Sequence, residues 1–244
     1  MRRWWSGIAV WLAAGCIVPA PYGDQGGDDT DDTEESDTVP EDTLTGIRVL
    51  ILDDGGSSQE VSAALEAAGH EVKASRLYTE WTGSNPALDD VDVVVFLQGR
   101  TFAEGFSGDG VLVQYVLDGG GLVRTERSSY AATVPPTLSV DAGLPVEYVS
   151  GPLEATTWRV VDRTSPLVEG LATQWEDPGG YAKVRAKAGT HVVIDKQGGD
   201  PLVVWDDTYG GTVVYINHDM TATSSRLTGA MATLLGNAVT FAAP

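Results

Sequence analysis

Acid–base chemistry in this chain of 244 residues depends on few side chains, because it contains only three histidines. His218 and Asp219 directly follow the apolar segment 213–216, whose pattern predicts a buried strand. Open α/β sheets bind ligands beyond the carboxyl ends of their strands. The sequence therefore predicts a polar pocket in which His218 and Asp219 meet side chains that follow other strands, namely Asp53, Asp54, Gln98 and Glu126. The alternative is that His218 and Asp219 only cap a loop or the following helix.

The residue types suggest two roles within this pocket, catalysis and ligand binding. The catalytic candidates are His218, Asp219 and Glu126, and the ligand-binding candidates are Asp53, Asp54, Gln98 and His218. His70 and His191 each open a predicted strand and are expected at the surface. A metal centre of two histidines and one carboxylate would need a second histidine close to His218 in sequence, and none is there. We therefore expect no metal and no cofactor.

The elements that would position this pocket alternate between strands and helices. Nearly continuous apolar runs at 47–52 and 91–97 are typical of strands buried on both faces of a parallel sheet. Helical spacing follows the first run, after the capping-box pair Ser57 and Glu60, and Gly69 ends that helix. A second helix is predicted after Asp109, as its N-cap, and before the glycines 119–121. Its inward stripe is Val111, Leu112, Tyr115 and Val116.

The second half of the chain is richer in strand patterns. Strands are predicted at 122–124, 158–161, 181–187, 190–194, 201–205 and 212–216, and a last helix at 224–241. Leu227, Met231, Leu234, Leu235 and Ala238 form its inward face. The order predicts one α/β domain at residues 47–244, with a doubly wound, mostly parallel, flavodoxin-like sheet and β-rich C-terminal additions.

Charge separates this domain from the segment before it. The net charge is −20, and residues 17–46 carry ten Asp or Glu residues without a Lys or Arg. Such a segment cannot bury enough apolar surface to fold, so residues 16–46 are expected to form a disordered linker. Calcium binding by this tract is the alternative, but an EF-hand loop pattern is lacking. The acidic composition of the domain argues against a nucleic-acid partner.

Cys16 is the only cysteine, and it ends a short N-terminal segment with two arginines, an apolar run and small residues. Residues 1–16 resemble a bacterial lipoprotein signal, in which residues 1–15 are removed and Cys16 carries the lipid. A general secretory signal is the alternative. The resemblance implies a lipid anchor as the membrane contact. Ile17, in place of an inner-membrane retention aspartate, implies a location in the cell envelope at the outer membrane.

Three stretches of the domain resemble the class I glutamine amidotransferase-like superfamily, and in particular its trehalose-utilisation (ThuA-like) branch. The first combines the strand and glycine at 91–99 with the helix and glycine-rich strand at 115–123. The second is the proline-to-glycine segment 165–171. The third combines segments 201–205, 211–219 and 237–243, which include His218 and Asp219. The resemblance implies the amidotransferase-like fold over most of residues 47–244.

The chain departs from this superfamily where the chemistry would occur. Active amidotransferases have a cysteine after the strand equivalent to 122–124, whereas this chain has Thr125, Glu126, Arg127, Ser128 and Ser129. Neither serine lies in a Gly-x-Ser-x-Gly motif. The sequence therefore favours a non-catalytic binding or interaction domain. The alternatives are a ThuA-like sugar-active enzyme that uses His218 and Asp219, and a purely structural protein.

Two partner classes remain open. A carbohydrate would stack on aromatic side chains if these were exposed together, and an envelope protein would need no such platform. The candidate aromatics are Trp81, Trp158, Trp175, Tyr181, Trp205 and Tyr209. A phosphate site at Gly55 and Gly56 is disfavoured, because Asp53 and Asp54 would repel the anion and the glycine spacing is wrong.

Overall fold

The computed structural model describes residues 46–54, 58–99, 105–153, 156–177, 181–197, 199–220, 227 and 229–244. The predicted signal peptide, Cys16 and nearly all of the acidic linker lie outside these residues, as do Ser57, the phosphate-loop glycines 55–56 and the start of the predicted last helix at 224–226. Lipid attachment at Cys16 therefore stays a prediction.

Eleven strands and four α-helices are present in the described part of the chain. The strands are β1 (Arg48–Asp53), β2 (Glu71–Leu77), β3 (Val93–Leu97), β4 (Gly121–Thr125), β5 (Val146–Leu153), β6 (Thr156–Val160), β7 (Gln174–Asp177), β8 (Tyr181–Ala186), β9 (His191–Lys196), β10 (Pro201–Asp206) and β11 (Val213–Ile216). The helices are α1 (Ser58–Ala67), α2 (Asp109–Leu117), α3 (Glu126–Ala131) and α4 (Ala230–Ala242). Short 3-10 turns occupy Tyr78–Glu80, Ser139–Gly143 and Pro166–Val168.

Nine of these strands form one sheet in the order β2-β1-β3-β4-β11-β10-β9-β6-β7. The first five are parallel to one another, and β10, β9, β6 and β7 pair in antiparallel fashion. β5 and β8 form a separate two-stranded antiparallel sheet. The predicted fold class is therefore confirmed: a parallel α/β half is followed by a β-rich C-terminal half.

Helices cover both faces of the parallel half. On one face, Val61 and Leu65 of α1 and Leu234 of α4 pack on alternate strand residues such as Ile51. On the other face, Leu112 and Val116 of α2 pack on the residues between them, including Leu50, Val94 and Phe96. β3 and β11 are apolar throughout because both of their faces are buried. This is the doubly wound arrangement that the sequence predicts.

Two details of α2 differ from the prediction. Val111 is 40% exposed rather than inward-facing, because the narrow buried stripe consists of Leu112 and Val116 alone. Gly108, not Asp109, occupies the N-cap position. The Asp109 carboxylate instead accepts the backbone N–H groups of Ser139 and Val140, at 2.6 and 3.1 Å. Asp109 therefore joins α2 to the turn Ser139–Gly143.

Glycines 119–121 have separate roles. Gly119 adopts a φ of +104° directly after α2, as the predicted helix stop requires. A Cβ at Gly121 would overlap the carbonyl oxygen of Ala242 and lie 2.8 Å from its carbonyl carbon. Gly121 thus allows the start of β4 to approach the end of α4, a contact that the sequence pattern did not indicate.

His70 lies between α1 and α4 and is half-buried, so it is less exposed than the sequence suggested. Burial lowers the pKa of His70, and a hydrogen bond to the backbone of Gly236 offsets this only in part. Its Nε2 is buried without a hydrogen-bond partner among the described residues. The lining of this crevice is otherwise uncharged, with alanines from both helices, so protonated His70 has no compensating charge there.

We expect His70 to make the protein less stable in acid. Because its folded pKa lies below the unfolded value of about 6.5, the unfolded state takes up the proton first. The stabilisation is complete above pH 6.5, falls as the pH drops below that value, and levels off below the folded pKa. Urea unfolding of wild type and His70→Gln at pH 7.5 and 5.5 checks this. The variant should lose less stability on acidification than wild type; equal losses in the two proteins would contradict the assignment.

Among the described residues, no helix combines the length and the apolar character needed to span a bilayer.

Candidate functional site

The carboxyl ends of β1, β3, β4 and β11 lie at one edge of the sheet, which we call the carboxyl edge. In the register of the parallel strands, Asp53 lies opposite Leu97, and Thr125 lies opposite Ile216. The polar residues that follow these positions are therefore brought to the same edge, as the sequence predicts. All are largely buried: Asp53, Asp54, Gln98, Glu126, Asn217, His218 and Asp219.

His218 contacts a carboxylate that sequence reasoning did not identify. Its Nδ1 lies 3.3 Å from Oδ2 of Asp177, the last residue of β7, and the two side chains are only 1% and 9% exposed. Asp177 is 41 residues away in sequence and on the far antiparallel strand, so no local motif signals the pair. A carboxylate beside one imidazole nitrogen fixes the orientation of the ring. His218 is therefore more than a loop cap.

Asp219 has a different partner from its neighbour. Arg127 Nη2 donates to Asp219 Oδ2 at 3.3 Å, and Arg127 Nε lies 3.7 Å from Glu126 Oε2. The guanidinium thus bridges two of the predicted catalytic carboxylates. The Glu126 backbone N–H also donates to the His218 carbonyl at 3.4 Å, which joins the ends of β4 and β11. His218, Asp219 and Glu126 thus lie close together at the carboxyl edge, and Asp177 lies against the His218 ring.

Gln98 belongs to a buried cluster around Arg124. Arg124 Nη2 donates to Gln98 Oε1 and to Asp141 Oδ1, both at 2.7 Å, and its Nε donates to Ser128 Oγ at 3.1 Å. The guanidinium carbon also lies 4.6 Å from the centre of the Phe96 ring. Arg124 and Gln98 are 0% and 1% exposed. Gln98 therefore positions Arg124, and its carbonyl oxygen is already used within the protein.

Asp53 ends β1 and Asp54 follows it, beside the point where the chain order reverses, since β2 and β3 lie on opposite sides of β1. Asp53 Oδ2 accepts the backbone N–H of Ser58 at 3.1 Å, so Asp53 caps α1. A carboxylate at a helix N-terminus is stabilised by the helix dipole. Both aspartates are at most 5% exposed. They lie at the predicted edge, and Asp53 has a structural role as well.

The end of β11 is held by a second network that the sequence did not reveal. Asn217 Nδ2 donates to the carbonyls of Ala182 and Pro201, at 2.8 and 3.0 Å, and its Oδ1 accepts the Ala182 N–H. The Tyr215 hydroxyl donates to the Glu126 carbonyl at 3.2 Å. Complete burial raises the pKa of Tyr215. These bonds fix the backbone that presents His218.

The turn from β4 to α3 is the place where an amidotransferase would carry its nucleophile. Here Thr125 ends the strand and Glu126 starts the helix. Ser129 Oγ donates to the Glu126 carbonyl at 2.8 Å, and Ser128 Oγ accepts from Arg124. Both serines are thus used in local structure. The single cysteine of the chain is Cys16, so this turn has no thiol.

The described residues form neither a metal centre nor an aromatic platform at this edge. In the part of the chain that the structure describes, no group of three or more His, Cys, Asp or Glu residues could hold a metal ion. Trp81 and Trp158 are buried in cores on opposite faces of the sheet. Trp205 stacks on His191 with 4.1 Å between ring centres, and Tyr209 is exposed. The described aromatics therefore do not share one platform; the Tyr181 side chain lies outside the described atoms.

Several solved structures resemble this one at low sequence identity. A cytoplasmic protein of Salmonella typhimurium LT2 is 16% identical, with a TM-score of 0.63 over 81% of this chain and 100% of that protein. A second cytoplasmic protein of Salmonella typhimurium is 17% identical, with a TM-score of 0.65 over 81% and 99%. A ThuA-like protein of Bacteroides uniformis is 13% identical, with a TM-score of 0.59 over 82% and 93%. No protein-family model and no curated protein sequence matches the chain.

These similarities establish the fold and correct one expectation. The chain has the α/β fold of ThuA-like proteins, as its sequence resemblance implied. The expected lipid-anchored location in the envelope at the outer membrane is contradicted by the comparison, since both Salmonella proteins with this fold are described as cytoplasmic.

Proposed function

We propose that the domain is a non-catalytic binding domain that holds a neutral, polyhydroxylated ligand, such as a carbohydrate, at the carboxyl edge. The observation that carries the proposal is the internal use of the candidate catalytic groups. Arg127 bridges Glu126 and Asp219, so both candidate catalytic carboxylates are already paired within the protein. A catalytic acid or base must be free to exchange its proton with a substrate, whereas a binding site benefits from side chains already fixed in place.

The charge of the edge supports a neutral ligand. Asp53, Asp54, Asp177 and Asp219 are all nearly buried there, together with Glu126. The cationic side chains nearby are already committed, since Arg124 is bound to Asp141 and Arg127 to Asp219. Carboxylates accept hydrogen bonds from hydroxyl groups and repel phosphate. A sugar or polyol suits this edge, and a sugar phosphate does not.

One observation favours a second function, a sugar-active enzyme. The contact of 3.3 Å between His218 and Asp177 is the arrangement in which a carboxylate orients a histidine for general acid–base catalysis. In that case Asp177, which the sequence did not indicate, orients His218. The two functions differ in whether a bound sugar is converted.

A panel of neutral mono- and disaccharides, each matched with its phosphorylated form, tests the proposal on the full chain. We expect at least one neutral sugar to raise the melting temperature, by about 5 °C or more when it is present at about 100 times its Kd. Its phosphate ester should have no effect. His218→Gln should remove the shift, because the substitution breaks the contact with Asp177, and His191→Gln should retain it.

The same samples distinguish the two functions. Under the binding proposal, chromatography after prolonged incubation recovers the sugar unchanged, and glutamine releases no ammonia. Conversion of the sugar by wild type, lost in His218→Gln, would favour the enzyme. A sugar phosphate that binds as tightly as its neutral form would refute the charge argument.

A further inference from the structure

A second candidate site lies on the face of the sheet that α2 covers, near the start of β11 and away from His218. It is an apolar cavity of about 240 Å³ between α2, the turn Ser139–Gly143 and the turn that joins β10 to β11. Val213, the first residue of β11, forms part of its wall, whereas His218 follows the last residue of that strand. At about 3.3 Å per residue, the length of β11 separates the cavity from the carboxyl edge by about 10 Å. The cavity is therefore a separate feature from the proposed sugar site.

The walls of the cavity are apolar and come from three elements. The wall is formed mainly by Val113, Val116, Val140, Ala142, Val213 and the ring of Tyr209. Two large apolar side chains at its opening are unusually exposed, with Leu117 at 50% and Tyr209 at 42%. Exposed apolar groups at the mouth of an apolar cavity are typical of a binding site.

The polar groups around the cavity are already satisfied within the protein. The N–H groups of Ser139 and Val140 donate to the Asp109 carboxylate, and the Gly211 N–H donates to the Val116 carbonyl at 2.8 Å. The Tyr209 hydroxyl donates to the Ala142 carbonyl at 3.4 Å. These donors are therefore already used within the protein, and a charged group buried against the apolar wall would lose its hydration. The occupant must be neutral and apolar.

The size of the cavity limits the occupant further. An apolar cavity of about 150 Å³ is large enough to bind benzene, so about 240 Å³ admits one or two fused aromatic rings. The Tyr209 ring offers an aromatic surface for offset or edge contacts with such a ligand. We propose that this cavity is a binding site for a small neutral aromatic molecule of the size of indole.

Titration of the full chain with indole, followed calorimetrically and by NMR, tests this proposal. A ligand of about nine heavy atoms is expected to bind with a Kd on the order of 0.1–1 mM. The amide NMR signals of Val113, Ala142 and Val213 should shift as indole is added and stop shifting once the site is saturated. Indole-3-carboxylate has a similar shape with a negative charge, and we expect it to bind at least tenfold more weakly.

A pair of glycine substitutions provides the matched control. A Cβ at Gly143 would lie 3.8 Å from Tyr209 Cδ2, an ordinary contact, so Gly143→Leu can fill the cavity without a backbone clash. Gly110 is exposed on α2, and a Cβ there meets no atom within 4 Å. Indole binding should weaken at least tenfold in Gly143→Leu and stay unchanged in Gly110→Leu. Leu117→Ser, at the exposed rim, provides a second variant and should weaken binding if Gly143→Leu does not fold.

Three results would overturn the proposal. One is the absence of saturable indole binding up to about ten times the expected Kd. Another is binding that Gly143→Leu and Leu117→Ser leave unchanged. The third is a concentration-dependent dimer that Leu117→Ser abolishes while indole fails to bind, because the cavity would then be covered by a second copy of the chain.

Discussion

Replacement of Arg124 with alanine will lower the free energy of unfolding by about 3–5 kcal/mol, since it leaves a buried carboxylate without its counter-charge. Asp141 is 5% exposed at its side chain and lies 2.7 Å from Arg124 Nη2. The same substitution removes the partner of Gln98 and the contact of the guanidinium with Phe96. At about 2–4 °C per kcal/mol for a chain of this size, the melting temperature should fall by about 6–20 °C.

Two variants separate the effect of burial from that of charge alone. Arg159 pairs with Asp195 at 3.2 Å, but its side chain is 50% exposed, so Arg159→Ala should cost at most about 1 kcal/mol. In the double variant Arg124→Leu/Asp141→Leu both charges are absent, and much of the lost stability should return. Urea unfolding measures all three. If Arg124→Ala lowers the free energy of unfolding no more than Arg159→Ala does, the buried cluster does not stabilise the fold.

Gly121→Ala is expected to cost about 3 kcal/mol, although it adds only one methyl group. The new Cβ would overlap the carbonyl group of Ala242, so β4 and the end of α4 must separate. β4 pairs with both β3 and β11 at the centre of the sheet, and this movement disturbs both pairings. Thermal and urea unfolding measure the cost directly.

The control for Gly121→Ala is the same substitution on α2. A Cβ at Gly110 has free space around it, and alanine is the better helix former, so Gly110→Ala should stabilise the protein by about 0.5–1 kcal/mol. A similar small effect at both positions would mean that α4 can move away from β4 without cost.

Much of the fold could be predicted because it depends on local patterns. The apolar runs at β1 and β3 are long enough to identify strands buried on both faces, and Gly119 marks the end of α2. β5 and β7 were not predicted. β5 lies in a separate two-stranded sheet, and the four residues of β7 alternate weakly at an edge of the large sheet. Whether such a segment forms a strand depends more on its pairing with distant strands than on its own sequence.

The sequence could predict only those site residues that directly follow a predicted strand. Because parallel strands end at one edge, residues such as Asp53, Glu126 and His218 could be grouped from the sequence. Asp177 could not, since it belongs to the antiparallel half and contacts His218 only through the tertiary fold. The guanidinium of Arg127 joins Glu126 to Asp219, which lies 92 residues further along the chain, so no local pattern indicates this contact.

The most direct test of the proposed function is to locate where a neutral sugar binds. The ligand from the saccharide panel would be titrated into the isotope-labelled full chain and followed by amide chemical shifts. We predict that the saturable shifts are largest at Asp53, Gln98, Glu126 and His218, at the carboxyl edge, while Leu122 and Val213, at the other end of their strands, stay unperturbed. Shifts that cluster away from the carboxyl edge, or no saturable binding of any neutral sugar, would contradict the account.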